Sequence, residues 1–300
     1  MTASLYDAPD WGRDGGDWPF REASQFVEID GRHWHVQRFG KGPAALLIHG
    51  TGAATHSWAP LTARLSKRFS VISIDLPGHG FSKPRRGGDA SLTSFATSLS
   101  RLLVDLKVTP DLMVGHSAGA AIMVQMIANG MVSPRAAVSI NGAFMPFPGA
   151  AGLVFPAVAK ALFLNPLTPY FVAQGAKDTR RVARLIKHTG SQPSDETICH
   201  YAMLFSKPRH LAGALGMMAQ WDLTKMRHTL SRVDCPMLFL AGAGDRAVKP
   251  SEGEEAAALS KDSEFVLLPD LGHLAHEEAP ALVDQHIVQF ADTAMKLESV

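Results

Sequence analysis

The chain has 300 residues, 46% hydrophobic and 19% charged, enough to bury a large core as one domain with an insertion. Lys and Arg number 29 against 28 Asp and Glu, so the formal charge is +1 and gives no electrostatic footprint for nucleic acid. Two cysteines, Cys199 and Cys235, make no disulfide framework and fit a reducing, cytoplasmic compartment, and no run has the length and apolarity of a transmembrane segment.

Residues 1–23 read as an N-terminal arm with Trp11 and Trp18 among acidic residues, without the basic and then apolar order of a secretion signal. These tryptophans offer one route of peripheral recruitment to a membrane. Ser24–Ile29 and residues 33–39 alternate in polarity around Asp30-Gly31, which predicts a hairpin and an antiparallel sheet edge. His33 and His35 share a strand face, but no carboxylate or cysteine stands near at ligand spacing, so they read as exposed edge residues and no metal site is expected. Ala44–Ile48 is an apolar strand ending in His49-Gly50-Thr51-Gly52. A helix at 58–65 and a strand at Ser70–Ile74 follow. In the next turn Asp75 is expected to accept backbone N–H groups. Lys83 to Arg86 read as a solvated loop, and 91–106 as a helix. An apolar run from Leu112 breaks at Gly115-His116-Ser117-Ala118-Gly119 and resumes as a small-residue helix, with a further strand at Ala136–Ile140.

The pattern then changes. No core strand recurs until about residue 236, an excursion too long for a structureless loop. A helical cap is expected over 143–231, leaving 24–142 and 232–300 as the core. Phe144 and Met145, in a proline-rich start that runs to Gly149, are candidates to line a pocket for a large flat ligand, as are Met203, Phe205, Met217, Met218 and Trp221. Strands at 236–240 and 265–268 precede Asp245 and His273, and a terminal helix closes the chain. This alternation predicts an α/β fold with a doubly wound, mostly parallel sheet, helices on both faces, and ligands at the carboxyl ends of its strands.

Three residues carry the predicted chemistry. Gly115-x-Ser117-x-Gly119 is a nucleophile elbow, a strained strand-to-helix turn that pushes the serine hydroxyl out of the sheet. Asp245 and His273 each follow a strand, in the chain order serine, acid, histidine. Asp270 is a weaker candidate acid, and His276 a rival base that reads better as a surface histidine. The backbone N–H groups of Ala118 and Thr51 are the expected oxyanion donors, with Gly52 as the alternative to Thr51. His49 and His116 read as structural or pocket-lining. Glycine spacing fits no nucleotide site, and the chemistry needs no cofactor.

The motifs His49-Gly50, Asp75 to Gly80, the Ser117 elbow, Gly244-Asp245 and Gly272-His273 together resemble the α/β-hydrolase superfamily, from about Phe26 onward. That resemblance implies an eight-stranded sheet with an inserted helical cap. A narrower likeness runs through residues 11–24, 34–38 and 49–58, which are similar to the magnesium-chelatase accessory family of bacteriochlorophyll biosynthesis (BchO). It implies a photosynthesis-related role near magnesium insertion, with a tetrapyrrole-related ligand or the chelatase as partner, and a place beside the photosynthetic membrane. Ser117 excludes the branches that use an aspartate nucleophile. Two functional classes follow: a serine hydrolase of ester or related acyl bonds, or an accessory protein that holds a porphyrin or the magnesium chelatase and turns nothing over.

Overall fold

The structure is a computed structural model and describes residues 4–84, 89–146, 165 and 167–296. Its centre is one eight-stranded sheet in the order β1-β2-β4-β3-β5-β6-β7-β8. The strands are β1 (Ser24–Ile29), β2 (Arg32–Phe39), β3 (Ala44–Ile48), β4 (Ser70–Ile74), β5 (Leu112–His116), β6 (Ala136–Ile140), β7 (Met237–Gly242) and β8 (Ser263–Leu268). β2 pairs antiparallel with both β1 and β4, and every other pairing is parallel. The β1–β2 turn takes positive φ at both Asp30 (52°) and Gly31 (67°), the backbone a two-residue hairpin requires.

The parallel strands are mainly apolar, and β3 to β7 are buried at almost every position because both faces are covered. Along β3, Leu46 and Ile48 face a core closed by α3 (Leu92–Asp105) and α4 (Ala118–Ala128), while Ala45 and Leu47 face a second core. That second core is closed by α2 (Ala59–Leu65) and the C-terminal helix, α12 (Pro280–Met295). Period two along the strand sorts the residues between the layers. The Ser91 side chain caps α3 by accepting from Ser94 N.

Among the described residues five helices stand between β6 and β7: α5 (Thr168–Ala176), α6 (Thr179–His188), α7 (Asp195–Phe205), α8 (Pro208–Gln220) and α9 (Met226–Leu230). The predicted cap start at Phe147-Pro148-Gly149 lies outside the described residues, as do Arg85 and Arg86. Ala176, Val182, Ile186, Tyr201 and Ala202 form their own cluster, which closes onto Ala53 and Leu274 at the carboxyl edge of the sheet. After β7 come α10 (Pro250–Leu259) and, beyond β8, the short α11 (Ala275–Glu278). Among the described residues no helix is long and apolar enough to cross a membrane.

The N-terminal arm, which includes α1 (Trp11–Asp14), is part of the packing. Trp18 is 2% exposed, donates its indole N–H to Thr55 Oγ1 at 3.0 Å, and packs edge-on against Phe81 and against His200 of α7. Trp11 packs on Phe26, His35 and Phe81. Lys207 at the head of α8 pairs with Asp14 at 2.9 Å. Membrane recruitment through these two tryptophans is therefore corrected: Trp18 is spent joining the sheet and the arm to the helices between β6 and β7, and Trp11 is tied down beside it.

Candidate active site

Ser117 occupies the corner between β5 and α4 with φ 51° and ψ −118°. The cost of that backbone is offset locally, since its N–H donates to Ile140 O and its carbonyl accepts from Ala120 N and Ala143 N, each at 3.1 Å. The two glycines of the elbow are there for space. A Cβ on Gly115 would come within 2.5 Å of Ala120 Cα, and one on Gly119 would press into the Ile48 carbonyl oxygen and within 2.6 Å of that of His49. Gly119→Ala is expected to lower stability by about 3 kcal/mol, as an overpacked core does. The check is the urea midpoint at unchanged slope, and an unmoved midpoint would contradict the close approach.

The loop after β3 lies against the elbow: a Cβ on Gly50 would sit 2.9 Å from both Ser117 Cβ and His116 Nδ1. Ala118 is the first residue of α4, so its N–H has no partner within the helix and belongs to the positive end of the dipole. Thr51 is half-buried, with its hydroxyl donating to Met217 Sδ at 3.0 Å. Gly52 is buried against Phe205, and its carbonyl accepts from His210 Nε2 at 3.0 Å.

Asp245 and His273 meet across the ends of β7 and β8, with His273 Nδ1 donating to Asp245 Oδ2 at 2.8 Å. The Asp245 side chain is fully buried and fully engaged. Oδ1 accepts from Ala247 N (2.7 Å) and Val248 N (2.9 Å), and Oδ2 accepts additionally from Asn141 Nδ2 at 2.7 Å. The His273 loop is held from three sides: His116 Nε2 donates to His273 O (2.9 Å), Leu274 N donates to Ser191 Oγ (2.8 Å), and Gly272 N donates to Glu278 Oε1 (3.1 Å). Asn141 and Ser191 escaped the sequence reading. An asparagine after β6 beside an acid loop is a weak signal for the first, and a serine between α6 and α7 carries none for the second.

Five of the candidate pocket residues divide by exposure. His49 is 0% exposed; Nε2 accepts from Leu76 N (2.9 Å), so Nδ1 carries the proton and donates to Gly50 O (2.7 Å). Burial holds it below the ordinary histidine range. Phe144, also 0% exposed, packs on Phe239. His116 lies between His273 and His276, with ring centroids 4.8 and 4.5 Å away, and burial drives its pKa well down. Met145 and Trp221 keep partial exposure at the edge of the main core.

Several other histidines and acids depart from or match their sequence expectation. Asp270 is exposed. His276 is 0% exposed, not a surface residue, because α11 dips beneath the His273 loop; burial, and then His273, lower it to about 3. Its Nε2 lies 2.9 Å from Ser57 Oγ, and Ser57 in turn donates to Glu277 Oε1, which also accepts from Tyr201 OH of α7 at 2.8 Å. Burial pushes the Glu277 carboxyl up to about 8 against the lowering by those two hydroxyls.

Asp75 does accept backbone N–H groups, from Thr55 (2.7 Å) and Phe81 (2.8 Å). Burial pushes it up, but His35 beside it and the hydrogen bonds outweigh burial and hold it at about 2. His35 is the second correction. The edge reading holds for His33 alone, since the arm covers His35 and leaves it 0% exposed. Its Nδ1 lies 2.8 Å from Asp75 Oδ2 and its Nε2 2.9 Å from Ser24 Oγ. This second serine, histidine and aspartate line lacks a hydrolase setting: Ser24 sits in an ordinary edge strand, and Trp11 and Phe26 cover the imidazole.

Comparison with known proteins places this geometry. Residues 45–285 match the model of the alpha/beta hydrolase family, a span containing Ser117, Asp245 and His273. The chain is 38% identical over 265 residues to a protein of Rhodobacter capsulatus named magnesium-chelatase 30 kDa subunit, covering 88% of this chain and 92% of that one. It is 26% identical to the 2-(acetamidomethylene)succinate hydrolase of Mesorhizobium japonicum, covering 90% and 95%. Among solved structures, a putative lipase from Acinetobacter baumannii superposes with a TM-score of 0.77 at 21% identity, covering 91% of this chain and 92% of that one, a likeness of fold. Sheet order, elbow and full-length similarity agree, and the chain belongs to the alpha/beta hydrolase family.

Proposed function

We propose that this chain is a serine-dependent hydrolase that cleaves an ester or related acyl bond, acting in or beside magnesium insertion in bacteriochlorophyll biosynthesis. The observation that carries the chemistry is the buried Asp245–His273 pair at 2.8 Å, on the same sheet edge as a serine in the strained elbow backbone. In this reading Asp245 holds the His273 imidazole with its proton on Nδ1, leaving Nε2 free to take the Ser117 proton as Oγ attacks the carbonyl carbon. The oxyanion that forms is stabilised by the N–H groups of Ala118 and Thr51, and partial exposure of Thr51 favours it over buried Gly52. His273 then gives its proton to the leaving oxygen, and water, deprotonated by the same histidine, hydrolyses the acyl-enzyme.

Hydrolysis of a chromogenic short-chain ester tests this directly. Ser117→Ala is expected to cut turnover by about 10⁴-fold or more with the fold intact. Equal turnover in wild type and variant would remove the proposal.

The place in tetrapyrrole chemistry rests on the similarity to the protein named a chelatase subunit. The same similarity favours a second reading, an accessory protein that holds a porphyrin or the chelatase. Absorbance titration with protoporphyrin IX separates the two: saturable binding without ester turnover supports the accessory role, and turnover without binding supports the hydrolase. We further propose the cap as residues 143–231 set on a core of 24–142 and 232–300, and a cytoplasmic location beside the photosynthetic membrane.

A further inference from the structure

Two consecutive cap helices expose a surface that neither the core nor the catalytic groups explain. On α5, Pro169, Ala173 and Ala176 are buried, leaving Leu167 at its cap and Phe171 and Val172 on the outward face. Phe171 is 65% exposed and Val172 50%, and on α6 Leu185 is 56% exposed. In α6 Val182 and Ile186 turn inward, which puts Arg181, Arg184, Leu185 and His188 on one outward stripe.

The charge of this surface is as unusual as its apolarity. From 167 to 188 the chain carries Lys177, Arg180, Arg181, Arg184 and Lys187 against the single carboxylate Asp178, a net +4 in a protein whose whole formal charge is +1. Asp178 pairs with Arg180 at 3.3 Å and Arg181 at 3.8 Å, and the Arg180 side chain is still 90% exposed. Among the described residues Arg184 and Lys187 have no ion-pair partner. Apolar and cationic groups are side by side: Phe171, Lys177, Arg180 and Arg181 border one open depression of about 740 Å³.

We propose that this α5–α6 surface docks the protein on an anionic phospholipid bilayer. Leu167, Phe171, Val172 and Leu185 enter the boundary between headgroups and acyl chains, and the five cations meet lipid phosphates. Protruding aliphatic and aromatic side chains interleaved with arginine and lysine suit that boundary, where apolar insertion and attraction to anionic headgroups add. An open depression bordered by flexible cations fits laterally mobile headgroups, whereas a folded acidic partner would need an apolar patch with fixed polar complements. The inference rests on this surface alone and stands whether or not Ser117 is a nucleophile.

The test is co-sedimentation of the full chain with phosphatidylcholine vesicles containing about 30% phosphatidylglycerol, beside pure phosphatidylcholine. Wild type is expected to sediment with the anionic vesicles and to be released as salt shortens the screening length. Arg181→Glu with Arg184→Glu is expected to weaken binding at least tenfold, at roughly 1 kcal/mol for each charge removed near the surface. Phe171→Ser should weaken binding that survives in high salt, and Lys261→Glu on the far side should change nothing. All these positions are exposed, so circular dichroism should show an unaltered fold. Equal binding to neutral vesicles, or full binding by the double variant, overturns the proposal. So does absence of vesicle binding with retention on a polyglutamate matrix, which would reassign the surface to an acidic protein.

Discussion

Lowering the pH from about 6.5 toward 4 is expected to unfold this protein cooperatively, with uptake of several protons. Nine of its 13 histidines are buried, and burial lowers the pKa of six of them: His49, His56, His79, His116, His210 and His276. Their bonding shows why they resist a proton. His210 is lowered to about 4; its Nδ1 accepts from Gly80 N while Nε2 donates to Gly52 O, so protonation breaks the first bond. His49 is fixed in the same way by Leu76 N, and both nitrogens of His56 are buried with no hydrogen-bond partner among the described residues.

Below 6.5 the unfolded chain binds these protons and the folded protein does not, so stability falls with pH. Each such histidine contributes a slope of about 1.4 kcal/mol per pH unit, and six together about 8, against a total stability of order 5–15 kcal/mol. Glu277 acts in the opposite sense. Its carboxyl stays protonated in the folded state up to about 8, so its contribution is lost as pH rises from 4.5 toward 8, one group against six. Asp75, held at about 2, keeps its full contribution above 3.8 and lies outside this window. Urea unfolding at several pH values between about 7 and 5 checks the slope, and stability that is flat across that range would contradict the account.

Asp245→Asn is expected to reduce ester turnover by about 10⁴-fold while leaving the fold in place. The hydrogen bonds dictate the outcome. Ala247 N and Val248 N both donate to Oδ1, so the amide oxygen must take that position. The new NH₂ then stands where Oδ2 stood, facing the Asn141 NH₂ and His273 Nδ1. His273 can answer only by presenting a lone pair at Nδ1 and moving its proton to Nε2, the tautomer that cannot accept the serine proton. Steady-state turnover and thermal unfolding measured together separate this from misfolding; turnover within a few-fold of wild type would show that Asp245 does not set the tautomer.

The parallel strands were legible because each is a short, mainly apolar run, and Ser70–Ile74 and Ala136–Ile140 carry the same bounds in sequence and structure. The neighbourhood of Asp245 and His273 was also legible, since residues that end adjacent parallel strands must share one sheet edge. The polar layer beneath them was not. His35 alternates as an edge residue should, and only the arm folding back over β2 buries it. His276 looks like the start of a surface helix until α11 is seen to run beside the His273 loop, where Ser57 and Tyr201 reach it and Glu277 from elsewhere in the chain. Ser191 meets Leu274 N across 83 residues, a contact that no local pattern encodes.

Ser117 is expected to be an activated nucleophile, and reaction with a fluorophosphonate probe, read by intact mass, reports on that activation. Wild type should gain one phosphonyl adduct, mapped to Ser117, and Ser117→Ala and His273→Ala should gain none under the same conditions. A wild-type protein that stays unmodified while an unrelated serine esterase reacts, or an adduct that persists in Ser117→Ala, would contradict it.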